Sequence, residues 1–176
     1  MNVAIMIILD LCSGTGAWSK PYREAGYDVR LVTLPKQDVR NYIPPENVHG
    51  ILAAPPCTVF SLAGNRWERT EEEIQEALSV VYACINIVKQ CNPQWWCLEN
   101  PVGKLVRYIG KPVMYFQPYE YGNHYSKRTA LWGNFMQPVK NPTYSIGSSM
   151  HLYVRNPVER AITPSGFARA FFESNP

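Results

Sequence analysis

The chain has 176 residues, of which 46% are hydrophobic and 18% are charged, and its formal net charge is +3. This length can bury the core of one domain, and no apolar run reaches the roughly 20 residues that a membrane-spanning helix needs, so we expect one domain over residues 1–176 and no membrane span. The mild positive charge permits contact with nucleic acid without requiring it.

Short apolar runs alternate with helical patterns in the first hundred residues. Continuous apolar runs predict strands at 3–9, 29–34, 50–54 and 94–98, of the kind that a parallel sheet buries on both faces. Helices are predicted at 18–25, before Gly26, and at 70–90, where Thr70 and Glu73 have capping-box spacing. The alternation predicts an α/β fold, a Rossmann-like, doubly wound and mostly parallel sheet.

The second half of the chain is less regular. We expect a short helix at 102–109, strands at 113–117 and 130–135, and a terminal helix at 164–173. Residues 137–159 are rich in Pro, Asn, Ser and Gly, which predicts a loop.

Three chemically distinctive segments follow predicted strands, at residues 10–16, 55–57 and 99–101. In open α/β sheets, ligands bind at the carboxyl ends of the strands near the point where the strand order reverses. We therefore expect these three segments to converge at one edge of the sheet.

Each segment suggests a chemical role. The glycines of residues 10–16 would let the backbone approach a ligand closely, although a tight turn alone also explains them. Cys57 follows two prolines, so its thiol is held on a stiff backbone and is a candidate nucleophile. Glu99 follows an apolar strand, where partial desolvation would raise its pKa and suit it to donate a proton; the alternative is a salt-bridged or capping residue.

The five cysteines are odd in number and have no metal-ligand spacing: Cys12, Cys57, Cys84, Cys91 and Cys97. This pattern predicts no metal site and suits the reducing cytoplasm.

Five motifs, in one order along the chain, resemble those of the cytosine-5 DNA methyltransferases. DLCSGTGAW resembles the S-adenosylmethionine loop, APPCTVFS the Pro-Cys motif, and LENP the Glu-Asn motif. YGNHYSKRTALWGN resembles the later basic motif, and TPSGFARAFFESNP the C-terminal motif that returns to the cofactor site. The chain is most similar to short phage or prophage members, and the resemblance implies an S-adenosylmethionine-dependent methyltransferase fold.

The resemblance also implies a set of site residues. Cys57 would attack carbon 6 of cytosine, Glu99 would contact ring nitrogen 3 and the exocyclic amine, and Lys127 or Arg128 would contact the carbonyl oxygen or a phosphate. The implied cofactor contacts are Asp10, Cys12, Ser13, Gly14, Gly16, Thr33, Asp38 and Pro55. The implied substrate contacts are Pro56, Ser61, Asn100 and Thr129.

Several positions depart from the family pattern. Thr58 and Pro101 stand where Gln and Val are common, and no acidic residue follows the second strand to hold the cofactor ribose, which leaves Thr33 as a weaker donor. The residues of the basic motif that align with the usual two arginines are Lys127 and Thr129. A short loop, residues 137–160, replaces the target-recognition region.

Three functions remain open at this point. The first is a cytoplasmic methyltransferase of a prokaryotic or phage-infected cell that acts on DNA containing cytosine, completed by a homodimer or a partner chain. The second is a methyltransferase on a cytosine nucleotide or single-stranded nucleic acid, which the short loop favours. The third is a catalytically weak nucleic-acid-binding protein that keeps the fold. The aromatic residues Tyr115, Phe116, Tyr119 and Tyr121 either stack on bases or belong to the core or its rim.

Overall fold

The computed structural model describes residues 5–62, 68–143 and 156–176, and these contain one six-stranded sheet. Its strands are β1 (Ile7–Leu11), β2 (Asp28–Val32), β3 (Val48–Ala53), β4 (Trp95–Pro101), β5 (Met114–Phe116) and β6 (Thr129–Asn134). The strand order is β2-β1-β3-β4-β6-β5. The first four strands are parallel to one another, and β6 is antiparallel to both of its neighbours.

The helices are α1 (Lys20–Glu24), α2 (Glu71–Cys91), α3 (Val106–Ile109), α4 (Pro157–Ala161) and α5 (Ser165–Ser174). The predicted capping box begins α2: the Thr70 hydroxyl accepts a hydrogen bond from the Glu73 amide at 3.2 Å, and the Glu73 carboxylate accepts one from the Thr70 amide at 3.0 Å. Asn92 ends this helix in the left-handed conformation, with φ of 44°. Two 3-10 turns, Val39–Asn41 and Pro118–Glu120, complete the described helices.

Apolar side chains cover both faces of the sheet, because successive residues of a strand point to opposite sides. On one face, Leu9 and Leu98 pack with α2 and α3. On the other, Ile8 and Cys97 pack with α1 and α5. The predicted α/β, doubly wound, mostly parallel architecture is therefore confirmed.

Several predicted boundaries differ from the structure, and two of the differences concern the site. Residues 99–101, expected to follow a strand, are the end of β4, where Glu99 is opposite Leu131 and Pro101 is opposite Thr129 of β6. Pairing with β6 extends β4 beyond its apolar run, which a local pattern cannot reveal. The predicted loop at 137–159 contains the start of α4, which Asn156 caps through its side chain at 2.9 Å from the Val158 amide. Residues 144–155 of this segment, and of the loop assigned to 137–160, lie outside the described residues.

The aromatic residues of the second half divide between core and surface. Phe116 and Tyr121 are each only 3% exposed, and the Phe116 ring stacks on Phe167 of α5 with a centroid distance of 3.9 Å. These two rings therefore belong to the core, whereas Tyr115 is 43% exposed. Within the described ranges, no helix combines the length and the apolar character that crossing a bilayer demands.

Candidate active site

The strand order reverses between β1 and β3, and a cavity of about 230 Å³ opens at the carboxyl ends of these two strands. Its wall contains four groups of residues: Asp10 at the end of β1, with Cys12, Ser13, Gly14, Thr15, Ala17 and Trp18 after it; Ala54, Pro55, Pro56 and Cys57 after β3; Glu99 and Pro101 of β4, with Lys127 just before β6; and Val158, Ala161, Ile162 and Thr163 around α4. The three segments expected to converge therefore share one cavity.

The turn after β1 depends on unusual backbone angles. Cys12 and Gly14 have φ of 57° and 53°, in the left-handed region, and the Gly16 amide donates to the Ser13 carbonyl at 2.8 Å. A Cβ added at Gly14 would meet no atom within 4 Å, so backbone angle, and not crowding by protein, is what favours glycine there. The side without a Cβ is open to a ligand.

Asp10 is a buried carboxyl group at the end of β1, only 1% exposed. The Ser19 hydroxyl donates a hydrogen bond to its Oδ2 at 2.5 Å. Burial raises the pKa of Asp10 to about 7, although the Ser19 hydrogen bond and the positive charge of Arg23 lower it in part. The carboxyl group at the base of the cavity therefore titrates near neutral pH.

Two polar groups of the cavity wall are available to a bound molecule. The Ser13 hydroxyl and the Trp18 indole N–H are buried and have no hydrogen-bond partner among the described residues. Buried donors without partners are costly unless a ligand or water satisfies them. Together with the open side of Gly14, they fit a polar cofactor at the turn after β1.

Cys57 is presented by a segment that is fixed at both ends. The Ala54 amide donates to the Leu11 carbonyl at 2.9 Å, and the buried Asn100 side chain donates to the Pro55 carbonyl at 3.0 Å. Beyond the thiol, the amides of Phe60 and Ser61 donate back to the Cys57 carbonyl at 3.1 and 2.9 Å. The nucleophile candidate is half-buried and lines the cavity.

Glu99 and Lys127 give the cavity its charge. Glu99 Oε2 is buried and has no hydrogen-bond partner among the described residues. Burial raises the pKa of Glu99, which the positive charge of Lys127 partly offsets. The Lys127 ammonium donates to the Arg160 carbonyl of α4 at 2.8 Å. Lys127 therefore holds α4 over the cavity while it faces the carboxyl group.

The protonation of Cys57 depends on these neighbours. Burial raises the pKa of its thiol, and the charge of Glu99 raises it further. The positive charges of Lys127 and Arg160 lower it. A thiolate at this position is therefore favoured by the two cations and opposed by an ionised Glu99.

Nine of the predicted site residues line the cavity: Asp10, Cys12, Ser13, Gly14, Pro55, Pro56, Cys57, Glu99 and Lys127. Arg128 is instead exposed and places its guanidinium 4.8 Å from the centre of the Tyr115 ring. The remaining predicted residues are not part of the wall: Gly16, Thr33, Asp38, Ser61, Asn100 and Thr129.

Three of these remaining residues act on the site indirectly or have other partners. Asn100 fixes the Pro55 carbonyl, and the Thr129 hydroxyl donates to the Lys127 carbonyl at 2.9 Å. Asp38 is bound by Arg40, which lowers the pKa of that carboxyl group to about 2.

The contribution of α4 to the cavity is not predicted from the sequence. Val158, Ala161 and Ile162 line the cavity, and no motif marked them, because a helix that begins inside a Pro- and Ser-rich segment has only one turn of pattern. Thr163, the first residue of the C-terminal motif, lies beside them in the cavity wall. The sequence predicts that this motif returns to the site.

Comparisons with known families, sequences and structures show what the chain is similar to. The family model described as C-5 cytosine-specific DNA methylase matches residues 17–111. The Type II methyltransferase M.DdeI of Desulfomicrobium norvegicum is 28% identical, and the match covers 57% of this chain and 29% of that protein. A crystal structure described as a DNA modification methyltransferase from an Escherichia coli prophage aligns with a TM-score of 0.52 at 17% identity, over 79% of this chain and 53% of that one. The chain thus spans about a third of the curated relative and half of the solved structure.

Proposed function

The chain belongs to the C-5 cytosine-specific DNA methylase family, and from this premise we propose that it transfers a methyl group from S-adenosylmethionine to carbon 5 of cytosine in DNA. One observation carries the proposal: Cys57, Glu99 and the glycine turn after β1 line a single cavity. That arrangement brings a nucleophile, a proton donor and a cofactor-binding turn together.

The first step is a covalent addition. The Cys57 thiolate adds to carbon 6 of the cytosine ring, and the electron pair of the 5,6 double bond moves towards ring nitrogen 3. Glu99, whose pKa is raised by burial and so favours the protonated form, donates a proton to nitrogen 3. Carbon 5 of the resulting adduct is nucleophilic.

S-adenosylmethionine, when bound, would supply the methyl group to carbon 5, with cleavage of its sulfur–methyl bond and release of S-adenosylhomocysteine. The hydrogen on carbon 5 then leaves as a proton to solvent, its electron pair re-forms the 5,6 double bond, and the Cys57 thiolate is expelled from carbon 6. Glu99 recovers its proton from nitrogen 3. The enzyme is thereby returned to its starting state.

Lys127 is the better candidate of the two basic residues for contact with the base. Its side chain faces the cavity, whereas Arg128 stacks on Tyr115 outside it. An ammonium near the cytosine carbonyl oxygen would offset the negative charge that accumulates during the addition. It also favours the thiolate of Cys57.

Asp10, Ser13, Gly14 and Trp18 are the residues that we assign to the cofactor. The free Ser13 hydroxyl and Trp18 N–H suit its charged amino-acid end, and Gly14 lets the backbone approach. Thr33 and Asp38 remain our candidates for the ribose and the adenine amine. Titration calorimetry with S-adenosylmethionine tests this: Gly14→Val should abolish binding, and a chain with no measurable affinity would instead support the accessory-protein alternative.

A duplex target has to be flipped out of the stack, because neither face of a stacked cytosine is accessible to a thiol. The substrate would be DNA in the cytoplasm of a prokaryotic or phage-infected cell. A homodimer or a partner chain would complete target recognition, since residues 137–160 are too few to form an independent domain.

Trapping on duplex DNA that contains 5-fluorocytosine tests the reaction. Fluorine cannot leave as a proton does, so the enzyme should remain covalently attached in the presence of the cofactor. Cys57→Ser should form no adduct, whereas Cys91→Ser, a half-buried thiol at the end of α2, should trap as the wild type does. Equal trapping by Cys57→Ser would defeat the proposal.

A cytosine nucleotide or a single strand is the second candidate substrate, favoured by the short segment 137–160. Methyl-transfer assays on duplex DNA, single-stranded DNA and the nucleotide separate the cases. A strong preference for the duplex would reject this second candidate.

A further inference from the structure

Charge is unevenly distributed along the chain. Residues 100–158 contain seven Lys and Arg residues and one carboxylate, Glu120. Lys140 binds Glu120 at 2.6 Å, and Lys127 faces the cavity. Of the described cations in this stretch, Lys104, Arg107, Lys111 and Arg128 therefore remain, and none of the four forms a salt bridge within the described ranges.

These four cations lie on adjoining elements. Lys104 lies in the turn that leads into α3, and its carbonyl accepts a hydrogen bond from the Arg107 amide at 2.9 Å. The end of α3 is attached to β6, because the Trp132 indole donates to the Gly110 carbonyl at 2.8 Å. The neighbouring strand, β5, pairs with the same part of β6. We name the surface formed by Lys104, Arg107, Tyr108, Lys111, Tyr115 and Arg128 the α3–β5 surface.

Two exposed aromatic rings belong to this surface. Tyr108 is 38% exposed and Tyr115 is 43% exposed. The Arg128 guanidinium lies 4.8 Å from the centre of the Tyr115 ring, so this ring limits where the cation can move. A guanidinium whose position is limited in this way suits contact with a backbone phosphate.

The α3–β5 surface adjoins residues 57–61, which we call the nucleophile segment because it begins with Cys57. The Tyr108 ring lies 5.9 Å from the ring of Phe60, three residues after Cys57. The Lys104 amide donates to the Phe60 carbonyl at 2.7 Å. A polyanion on this surface would therefore lie next to the segment that carries Cys57.

We infer that the α3–β5 surface binds the sugar-phosphate backbone of duplex DNA next to the target cytosine. The inference rests on the proposed function for the substrate and goes beyond it in assigning the surface that holds the DNA. Four cations without carboxylate partners match the charge of the phosphates. Backbone contacts position a duplex without reading its sequence, so this surface gives register and affinity but little specificity.

The salt dependence of DNA binding tests the inference. Anisotropy of a labelled cytosine-containing duplex gives the slope of log affinity against log salt for the wild type and for R107Q/K111Q/R128Q. Each lost phosphate contact reduces this slope by about 0.9, so we expect the triple variant to reduce it by about 2 to 3. The matched control is K20Q/K36Q/K89Q, which removes three exposed cations elsewhere and should leave the slope nearly unchanged.

Two results would overturn the inference: an unchanged slope in the triple variant, or an equal reduction in the control. The inference would also be overturned if the triple variant had a reduced slope on single-stranded DNA but an unchanged slope on the duplex. Because all three positions are exposed, unfolding is not expected; should the triple variant fail to fold, Arg107→Gln and Arg128→Gln alone should each reduce the slope by about 0.9.

The outcome is independent of catalysis. If the wild type binds the duplex with the expected slope difference but never traps 5-fluorocytosine, the proposed function fails and the α3–β5 surface stands. If trapping succeeds and the slope difference is absent, only the surface assignment fails.

Discussion

Glu99 and Cys57 line one cavity, and the negative charge of Glu99 raises the pKa of the Cys57 thiol beyond the increase that burial causes. The thiolate therefore forms more easily when Glu99 is protonated. Burial raises the pKa of Glu99 as well, which favours that protonated form. The competent state, with a thiolate and a carboxylic acid, is thus also the state that minimises repulsion between the two groups.

Glu99→Gln should lower the pKa of Cys57, because the amide carries no charge. The midpoint of Cys57 alkylation by iodoacetamide, followed by mass spectrometry of its peptide across pH, should move to lower pH. Methyl transfer should nevertheless fall by about 100-fold or more, since glutamine cannot donate a proton to ring nitrogen 3.

Glu24→Gln is the matched control, because that carboxylate is half-exposed on α1 and is not part of the cavity wall. It should alter neither the midpoint nor the rate. An unchanged midpoint in Glu99→Gln would contradict the coupling between the two groups.

Lys127→Met should have the opposite effect on the thiol. Loss of the positive charge raises the pKa of Cys57, so the alkylation midpoint should move to higher pH. The variant also loses the bond to the Arg160 carbonyl that holds α4, so cofactor-dependent trapping should slow. Arg128→Met is the control, because Arg128 lies outside the cavity, and it should leave the alkylation midpoint unchanged. An equal shift of the midpoint in Arg128→Met would contradict the assignment of Lys127 as the cation that acts on Cys57.

The sequence predicted the sheet and the edge at which the three segments meet well, because both depend on local patterns. Apolar runs located the strands to within a few residues, and the segments at the carboxyl ends of β1 and β3 identified Asp10, Gly14 and Cys57 at the cavity. Helix α2 was predicted almost to the residue, because Thr70 and Glu73 form a capping box that depends only on neighbouring residues.

What the sequence did not predict depends on contacts between distant segments. Glu99 lies within β4 only because β6 pairs with it, more than 30 residues later. The hydrogen bond from the Asn100 side chain to the Pro55 carbonyl joins β4 to a segment 45 residues earlier, and the local pattern does not reveal it. The sequence did not show whether Lys127 or Arg128 faces the cavity. Neighbouring side chains near a strand point to opposite sides, so a one-residue difference in register exchanges the two positions.

Gly103→Ala should disturb the nucleophile segment from behind. A Cβ at Gly103 would lie 1.8 Å from the Phe60 carbonyl oxygen, so the backbone between Cys57 and Ser61 would have to move. We expect the free energy of unfolding to fall by about 2 kcal/mol and trapping to be impaired. Gly122→Ala is the control: its φ of 90° costs about 1 kcal/mol, but no atom lies within 4 Å of the added Cβ, so trapping should persist. Denaturant unfolding and trapping together check both, and normal trapping by Gly103→Ala would contradict the assigned packing.

Asp10→Asn should stabilise the protein at alkaline pH while it weakens the cofactor site. The pKa of Asp10 is raised from 3.8 to about 7, so ionisation of this carboxyl group opposes folding. The contribution of Asp10 to stability is therefore greatest below about pH 4 and is lost as the pH rises through 7. Asparagine can still accept the Ser19 hydrogen bond but does not ionise. The stability difference in favour of the variant should therefore grow by on the order of 2 kcal/mol between pH 5 and pH 8, as measured by urea unfolding. Ser13→Ala, a neighbouring change without a titrating group, should show no such pH-dependent gain. A difference that stays constant across this range would mean that Asp10 is already ionised in the folded protein at pH 5.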